Sequence, residues 1–132
     1  MKEYHRKVFL REVDVTGRVY FGFVFDYAIE AFECWLEQKG EGLKDLFSLG
    51  YCFPVVHAEA NYLSSLSVSD EVIATISFKG MSERSFTIVT NIYNKKTKKH
   101  AVEVTLIHAF VREGEEKASE IPREIRSLLE TL

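Results

Sequence analysis

The sequence contains little proline and little cysteine. Two prolines and two cysteines occur among 132 residues, and the cysteines, Cys34 and Cys52, do not form a CxxC pair. A chain of this length with 46% hydrophobic residues and ten phenylalanines can build its own core without disulfide bonds. We therefore expect reduced thiols, a cytoplasmic location and a single domain over residues 1–132.

An excess of charge of one sign and a long apolar run are also absent. The chain has 17 basic and 20 acidic residues, a net charge of −3, whereas a nucleic-acid binder needs a basic face for phosphate contacts. The N-terminus opens on charged residues rather than on an apolar signal segment, and a membrane span would need about 20 apolar residues. We expect no nucleic-acid partner and no membrane insertion.

The hydrophobic pattern predicts one long helix from about residue 25 to residue 39. Apolar side chains recur there at the spacing of one helical face, namely Phe25, Ala28, Ile29, Phe32, Trp35 and Leu36. Gly40 and Gly42 follow, where glycine commonly ends a helix, and a short extra turn is expected near residues 43–47.

After Pro54 the pattern changes to a period of two, which is typical of strands. It predicts four strands, near residues 56–63, 72–78, 86–92 and 101–111. A further strand is expected between about Tyr4 and Val13, and a short helix that starts at Pro122. This order predicts an α+β fold, in which one antiparallel sheet buries a face against the long helix.

The segment before the long helix carries the pattern Asp-x-x-Gly-x-Val-Tyr, from Asp14 through Gly17 to Tyr20. It resembles the 4-hydroxybenzoyl-CoA thioesterase branch of the hotdog superfamily, which includes the Tol-Pal-associated acyl-CoA thioesterases. The resemblance covers nearly the whole chain. Later pieces follow in the family's order, namely Tyr62, Ser69-Asp70-Glu71-Val72, Ser85-Phe86 and Ile121-Pro122.

The resemblance implies a hotdog fold, a curved antiparallel sheet of about five strands wrapped around a central helix. It also implies a homodimer or homotetramer that hydrolyses acyl-CoA at a subunit interface, without a metal or other cofactor. A thioesterase needs a nucleophile or base and donors for the developing oxyanion. The resemblance implies that Asp14 is the nucleophile or base, and that the backbone amides of Phe21, Gly22 and Phe23 are the oxyanion donors.

The motif leaves alternatives open. An aspartate three residues before a glycine is commonly a turn residue, so Asp14 would then belong to a non-catalytic acyl-binding module. Glu30 and Glu33 are alternative catalytic carboxylates, although we read both as solvent-facing helix charges. Phe21 and Phe23 stand where many relatives carry His and Asn, so any assistance from those side chains is lost.

Substrate contacts are expected at two places. Gly17 and Tyr20 lie beside the motif's carboxylate, and the surrounding rings suit an aromatic or short-to-medium-chain acyl group. For the CoA phosphates the resemblance points to the turn that contains Ser82, Arg84 and Ser85, where arginine can grip phosphate with a bidentate fork. Because this turn has a single cation, acyl carrier protein remains an alternative carrier.

Overall fold

A five-stranded antiparallel sheet packs against one long helix in the computed structural model, which describes residues 3–40 and 42–132. The strands are β1 (Glu3–Lys7), β2 (Tyr51–Cys52), β3 (Val55–Tyr62), β4 (Glu71–Met81), β5 (Ser85–Asn94), β6 (His100–Ala109) and β7 (Val111–Arg112). The helices are α1 (Phe23–Gln38), α2 (Leu43–Ser48) and α3 (Arg123–Glu130). The main sheet has the order β1-β4-β5-β6-β3, and β2 pairs with β7. The predicted α+β hotdog architecture is confirmed.

Helix α1 forms the centre of the core because one of its faces is buried against the sheet. Its buried residues are Val24, Tyr27, Ala28, Ala31, Phe32, Trp35 and Leu36. Ile29 was predicted to share this face but is 41% exposed, because the buried stripe is centred on Ala28 and Trp35 instead. Gly40 follows α1 with φ +78°, the left-handed conformation expected of a terminating glycine. Within residues 3–40 and 42–132, no helix is long and apolar enough to cross a membrane.

The first strand is shorter than predicted, because the chain turns away from the sheet after β1. Leu10–Glu12 form a 3-10 helix instead of continuing the strand to Val13. The buried Glu12 carboxylate accepts hydrogen bonds from the Phe9 amide at 3.0 Å and from the Tyr27 hydroxyl at 2.8 Å. These bonds hold the segment against α1, so the next residues reach the start of that helix.

The two edges of the main sheet differ in their side chains. The edge strand β1 has five residues, and four of them are Glu3, His5, Arg6 and Lys7. The other edge strand, β3, has eight residues, and Glu59 is its one carboxylate. The predicted alternation of buried and exposed residues is not seen in β3, since seven of its eight positions are exposed and the eighth is half-buried. Helix α1 therefore leaves most of β3 uncovered.

Candidate active site

Asp14 lies in a turn whose backbone is fixed on both sides. The Gly17 amide donates to the Asp14 carbonyl at 3.0 Å, and Gly17 has φ +80°, which favours glycine over any other residue. The Asp14 amide donates to the Arg18 carbonyl at 2.8 Å. Gly17 therefore acts through the backbone, by closing the turn that presents the Asp14 side chain.

The Asp14 carboxylate is exposed, and one of its two oxygens accepts hydrogen bonds from within the turn. Its Oδ1 atom accepts hydrogen bonds from the Thr16 hydroxyl at 2.5 Å and the Thr16 amide at 2.8 Å. These two bonds, aided by the neighbouring Arg18, hold the pKa of Asp14 below its ordinary 3.8. Asp14 is therefore ionised at neutral pH. Its Oδ2 atom accepts no hydrogen bond from the described residues and can face a substrate or a water molecule.

Asp14 and Phe21 line the same cavity, which has a volume of about 380 Å³. This lies within the roughly 300–1,000 Å³ of small-molecule pockets. Its apolar walls come from Val19, Val24, Leu63, Leu66 and Val102, and its polar lining residues include Arg18, Tyr62, Ser64 and Ser65. The cavity thus combines one carboxylate with mainly apolar surface beside the start of α1.

The backbone amides of Phe21 and Gly22 are unpaired where the chain enters α1. The Phe23 amide donates to the Tyr20 carbonyl at 3.0 Å, which removes it from the predicted set of free donors. The amides of Phe21 and Gly22 donate to no acceptor in the part of the chain that the structure describes. Free amides at a helix start, with the positive end of the helix dipole, suit a developing negative charge.

Both unpaired amides belong to peptide groups whose carbonyls are hydrogen-bonded. The Phe21 N–H and the Tyr20 carbonyl belong to one peptide group, and the Phe23 amide donates a hydrogen bond to that carbonyl. The Gly22 N–H and the Phe21 carbonyl likewise belong to one peptide group. That carbonyl accepts a hydrogen bond of 2.7 Å from the Tyr62 hydroxyl. A bonded carbonyl fixes its peptide plane and polarises the N–H on the other side. Tyr62, noted in the sequence without a role, therefore holds the peptide group that carries the Gly22 amide.

The predicted aromatic contacts lie around Phe21 rather than in the cavity itself. Tyr20 is 49% exposed, and its ring lies 4.7 Å from the Phe21 ring and 6.4 Å from the Phe23 ring, centroid to centroid. Phe21 is one of the residues that line the cavity, whereas Tyr20 packs against it. Tyr20 thus supports the wall of the cavity from outside.

The predicted CoA turn lies at the opposite end of the sheet from Asp14. Ser85 pairs with Ala109 at one end of β6, whereas Tyr62 pairs with Val102 near the other. These two positions of β6 are seven residues apart, roughly 23 Å at the rise of a strand. One chain therefore does not bring this turn to the Asp14 cavity.

A second cation stands at this turn. The Ser82 hydroxyl accepts hydrogen bonds from the amides of Arg84 at 3.3 Å and Ser85 at 3.1 Å, which shapes the turn. The Arg126 guanidinium, on α3, donates to the carbonyls of Ser82 at 3.2 Å and Glu83 at 3.4 Å. Sequence reasoning missed Arg126 because its position depends on how α3 packs, although Ile121-Pro122 marked the start of that helix.

The helix carboxylates proposed as alternatives have different surroundings. Glu30 was predicted to face solvent, but it pairs with Arg6 at 2.5 Å and accepts a hydrogen bond from the Tyr4 hydroxyl at 3.0 Å. Glu33 is exposed, as expected. Arg6 also pairs with the buried Glu12 at 2.5 Å. Burial raises the pKa of Glu12, but bonds from the Phe9 amide, Tyr27 and Arg6 outweigh this and lower it.

Other reactive groups offer no competing centre. Burial, with the nearby charges of Glu33 and Glu30, raises the pKa of the Cys34 thiol, which opposes formation of a nucleophilic thiolate. Within residues 3–40 and 42–132, no group of three or more His, Cys, Asp or Glu side chains is placed to hold a metal ion. Asp14 is the carboxylate that lines the cavity beside the start of α1.

Comparison with known proteins places the chain in a family. Residues 8–129 match the model of the Thioesterase-like superfamily. A 1,4-dihydroxy-2-naphthoyl-CoA hydrolase of Nostoc punctiforme is 30% identical over 131 residues, which covers 97% of this chain and 86% of that protein. The corresponding hydrolase of Rippkaea orientalis is 31% identical over 93 residues, or 70% of this chain and 67% of that protein.

Solved structures agree on the fold. A 1,4-dihydroxy-2-naphthoyl-CoA thioesterase from Synechocystis superimposes with a TM-score of 0.90 at 23% identity, over 98% of this chain and 96% of that one. A gentisyl-coenzyme A thioesterase gives a TM-score of 0.85 at 20% identity, over 95% and 99% of the two chains. The finer placement in the 4-hydroxybenzoyl-CoA branch stays a prediction. The chain belongs to the Thioesterase-like superfamily and is a thioester hydrolase of the hotdog fold.

Proposed function

We propose that the protein hydrolyses an aromatic acyl-CoA to the free acid and CoA, with Asp14 as the reactive carboxylate. The observation that carries this proposal is the shared cavity of Asp14 and Phe21, beside the unpaired amides of Phe21 and Gly22 at the start of α1. Asp14 either attacks the thioester carbon, releasing CoA thiolate and leaving an anhydride that water cleaves, or takes a proton from an attacking water. In both cases the Phe21 and Gly22 amides stabilise the oxyanion.

The acyl group is aromatic in this proposal. The cavity offers the ring of Phe21 and the branched side chains of Val24 and Leu66 to an acyl group, together with a few polar atoms. Curated relatives at about 30% identity are named for a dihydroxynaphthoyl thioester, which has a flat apolar ring system with hydroxyl groups. A flat ring fits between such walls at little entropic cost.

The active protein is a homodimer that pairs through β3. This strand is a sheet edge with exposed Val55, Val56 and Tyr62, and such an edge is a template for another strand. A two-fold axis normal to the sheet pairs β3 with its own copy in antiparallel order and keeps both α1 helices on one face. The Tyr62 end of one protomer then meets the Val55 end of its partner, which carries the Ser82–Ser85 turn. Arg84 and Arg126 of the partner subunit thus approach the CoA phosphates.

A thiol-release screen tests this function. Wild-type protein is assayed with benzoyl-, naphthoyl-, acetyl- and decanoyl-CoA, and with the same acyl groups on acyl carrier protein. We expect hydrolysis of the aromatic CoA thioesters, and at least about a 100-fold loss of kcat in Asp14→Asn, the range for a lost general base. If the protein hydrolyses only the carrier-protein thioesters, the natural carrier is acyl carrier protein rather than CoA. Binding of acyl-CoA without any thiol release would show a non-catalytic module and overturn the proposal.

A further inference from the structure

The segment that carries Asp14 is a short antiparallel ribbon, residues 12–20. One bridge joins its two arms, and the Tyr20 amide donates a hydrogen bond of 2.9 Å to the Glu12 carbonyl at its base. Asp14 lies at the end of the first arm, where the chain turns, and Phe21 follows directly after the second arm. The base of the ribbon therefore joins the reactive carboxylate to the backbone that leads into the oxyanion donors.

Glu12 anchors the base of this ribbon through a buried side chain. Its carboxylate accepts a hydrogen bond of 2.8 Å from the Tyr27 hydroxyl, on α1, and one of 2.7 Å from the Arg6 guanidinium, on β1. The guanidinium of Arg6 also lies over the Tyr27 ring, 4.1 Å from its centroid. The exposed Arg11 approaches the same carboxylate at 3.2 Å. Glu12 thus ties the ribbon both to the central helix and to the sheet.

The hydrogen bond between Tyr27 and Glu12 links the two halves of the candidate active site. The free amides of Phe21 and Gly22 lie at the start of α1, and Tyr27 begins the second turn of the same helix. Of the side-chain hydrogen bonds among the described residues, this is the one that joins the ribbon to α1. A buried ion pair adds little stability compared with apolar packing, because desolvation offsets its attraction, but a fully bonded one fixes a geometry. The geometry fixed here is that of Asp14 relative to α1.

We propose that Glu12 is a positioning residue for the hydrolysis, and that its carboxylate, held by Tyr27 and Arg6, fixes Asp14 at the correct place relative to the oxyanion donors. Glu12 is 1% exposed and does not line the Asp14 cavity, so it acts through the backbone and not on the substrate. The inference rests on the proposed function, because it takes Asp14 as the reactive carboxylate. It adds the device that holds that carboxylate in register with α1.

The second carboxylate partner of Arg6 provides a comparison within the same cluster. Glu30, on α1, pairs with Arg6 at 2.5 Å and accepts a hydrogen bond of 3.0 Å from the Tyr4 hydroxyl, on β1. This half of the cluster joins the first strand to the helix and does not include the ribbon. Loss of the Tyr4 hydroxyl therefore disturbs the same group of charges without releasing Asp14.

Two tyrosine variants test the inference. Tyr27→Phe removes the hydroxyl that holds Glu12, and Tyr4→Phe, the matched control, removes the hydroxyl that holds Glu30. Both are assayed by thiol release from benzoyl-CoA, with urea unfolding in parallel to show that each is folded under the assay conditions. We expect Tyr27→Phe to lose about tenfold in kcat, since a misplacement of about 1 Å can cost roughly 100-fold. Its KM should stay within about twofold, and Tyr4→Phe should keep kcat within about twofold of the wild type.

The Asp14→Asn background separates positioning from a general effect on the fold. If Glu12 acts by placing Asp14, Tyr27→Phe should change the residual kcat of Asp14→Asn protein by less than about twofold, because no reactive carboxylate remains to be misplaced. A purely structural role of the Tyr27 hydroxyl would slow both backgrounds by the same factor. An equal loss in the two backgrounds would therefore overturn the inference.

The remaining outcomes separate this inference from the proposed function. A wild type that hydrolyses no aryl-CoA overturns the proposed function, whereas an active wild type with equal kcat values in Tyr27→Phe and Tyr4→Phe overturns the inference alone. Should Tyr27→Phe fail to fold, Glu12→Gln replaces it, because this change keeps the size of the side chain and removes the charge that Arg6 holds. The same loss of kcat is then expected, again absent from the Asp14→Asn background, and an unchanged kcat would contradict the inference.

Discussion

The hydroxyl of Tyr62 offers a sharp test of how the candidate oxyanion donors are held. Tyr62→Phe removes one hydrogen bond, of 2.7 Å, to the Phe21 carbonyl and leaves the ring in place. Because Tyr62 is 50% exposed, the free energy of unfolding should fall by only about 0.5–1 kcal/mol, the low end for a hydrogen bond. The change therefore leaves the fold intact.

The expected kinetic effect follows from what the bond does. Loss of an oxyanion donor costs roughly 100- to 1,000-fold in kcat. Tyr62→Phe does not delete the Gly22 amide but frees the peptide that carries it, so we expect a smaller loss of about tenfold, or ~1.4 kcal/mol. Since the oxyanion develops only in the transition state, KM should stay within about twofold.

The assay is thiol release at saturating aryl-CoA, with urea unfolding in parallel. Tyr20→Phe is the matched control, because Tyr20 is 49% exposed and its hydroxyl bonds to none of the described residues. Equal kcat values for the two variants, or a Tyr62→Phe protein with a raised KM and an unchanged kcat, would refute a positioning role for Tyr62.

Three further predictions concern pH and stability. Thr16→Val removes the hydroxyl bond that lowers the pKa of Asp14, so the acidic limb of the kcat/KM profile should move to higher pH, and an unmoved limb would separate Asp14 from the reaction. Arg6→Met removes the buried one of the two cations that pair with the 1% exposed Glu12 carboxylate and leaves only the exposed Arg11, at 3.2 Å. It should lower the free energy of unfolding by up to about 3–5 kcal/mol in urea titration, and a loss below about 1 kcal/mol would refute the pairing. Burial lowers the pKa of His108 from 6.5, so its contribution to stability is present above that pH and is lost as pH falls. His108→Asn should therefore flatten the fall of the unfolding free energy between pH 7 and 5, and an unchanged slope would argue against a buried neutral ring.

The long helix and the main strands were predictable because their signals are local. The apolar spacing after Phe25 depends only on the helical repeat, and the real helix, Phe23–Gln38, begins two residues earlier than predicted. Gly40 terminates it by a backbone conformation that one residue determines. The match of Asp14 to the family's motif likewise depends only on neighbouring residues.

Features that depend on tertiary contacts were missed. Glu12 reads as an ordinary surface carboxylate in the sequence, and only the folded chain brings Arg6 and Tyr27 to it. The exposure of β3 was hidden for the same reason, since alternation cannot show which strand the helix leaves uncovered. The hydrogen bond between His108 and the Phe53 carbonyl likewise joins residues that are far apart in the sequence.

The most direct test of the account is the turnover of Asp14→Asn with an aromatic acyl-CoA, measured beside Glu33→Gln and beside the binding of the same thioester. Both changes remove one exposed carboxylate and keep the side chain's size. We predict that Asp14→Asn loses at least about 100-fold in kcat while its Kd for the thioester stays within about twofold, and that Glu33→Gln keeps its kcat. An Asp14→Asn protein that turns over within a few-fold of the wild type, or a Glu33→Gln protein that alone is inactive, would contradict the account.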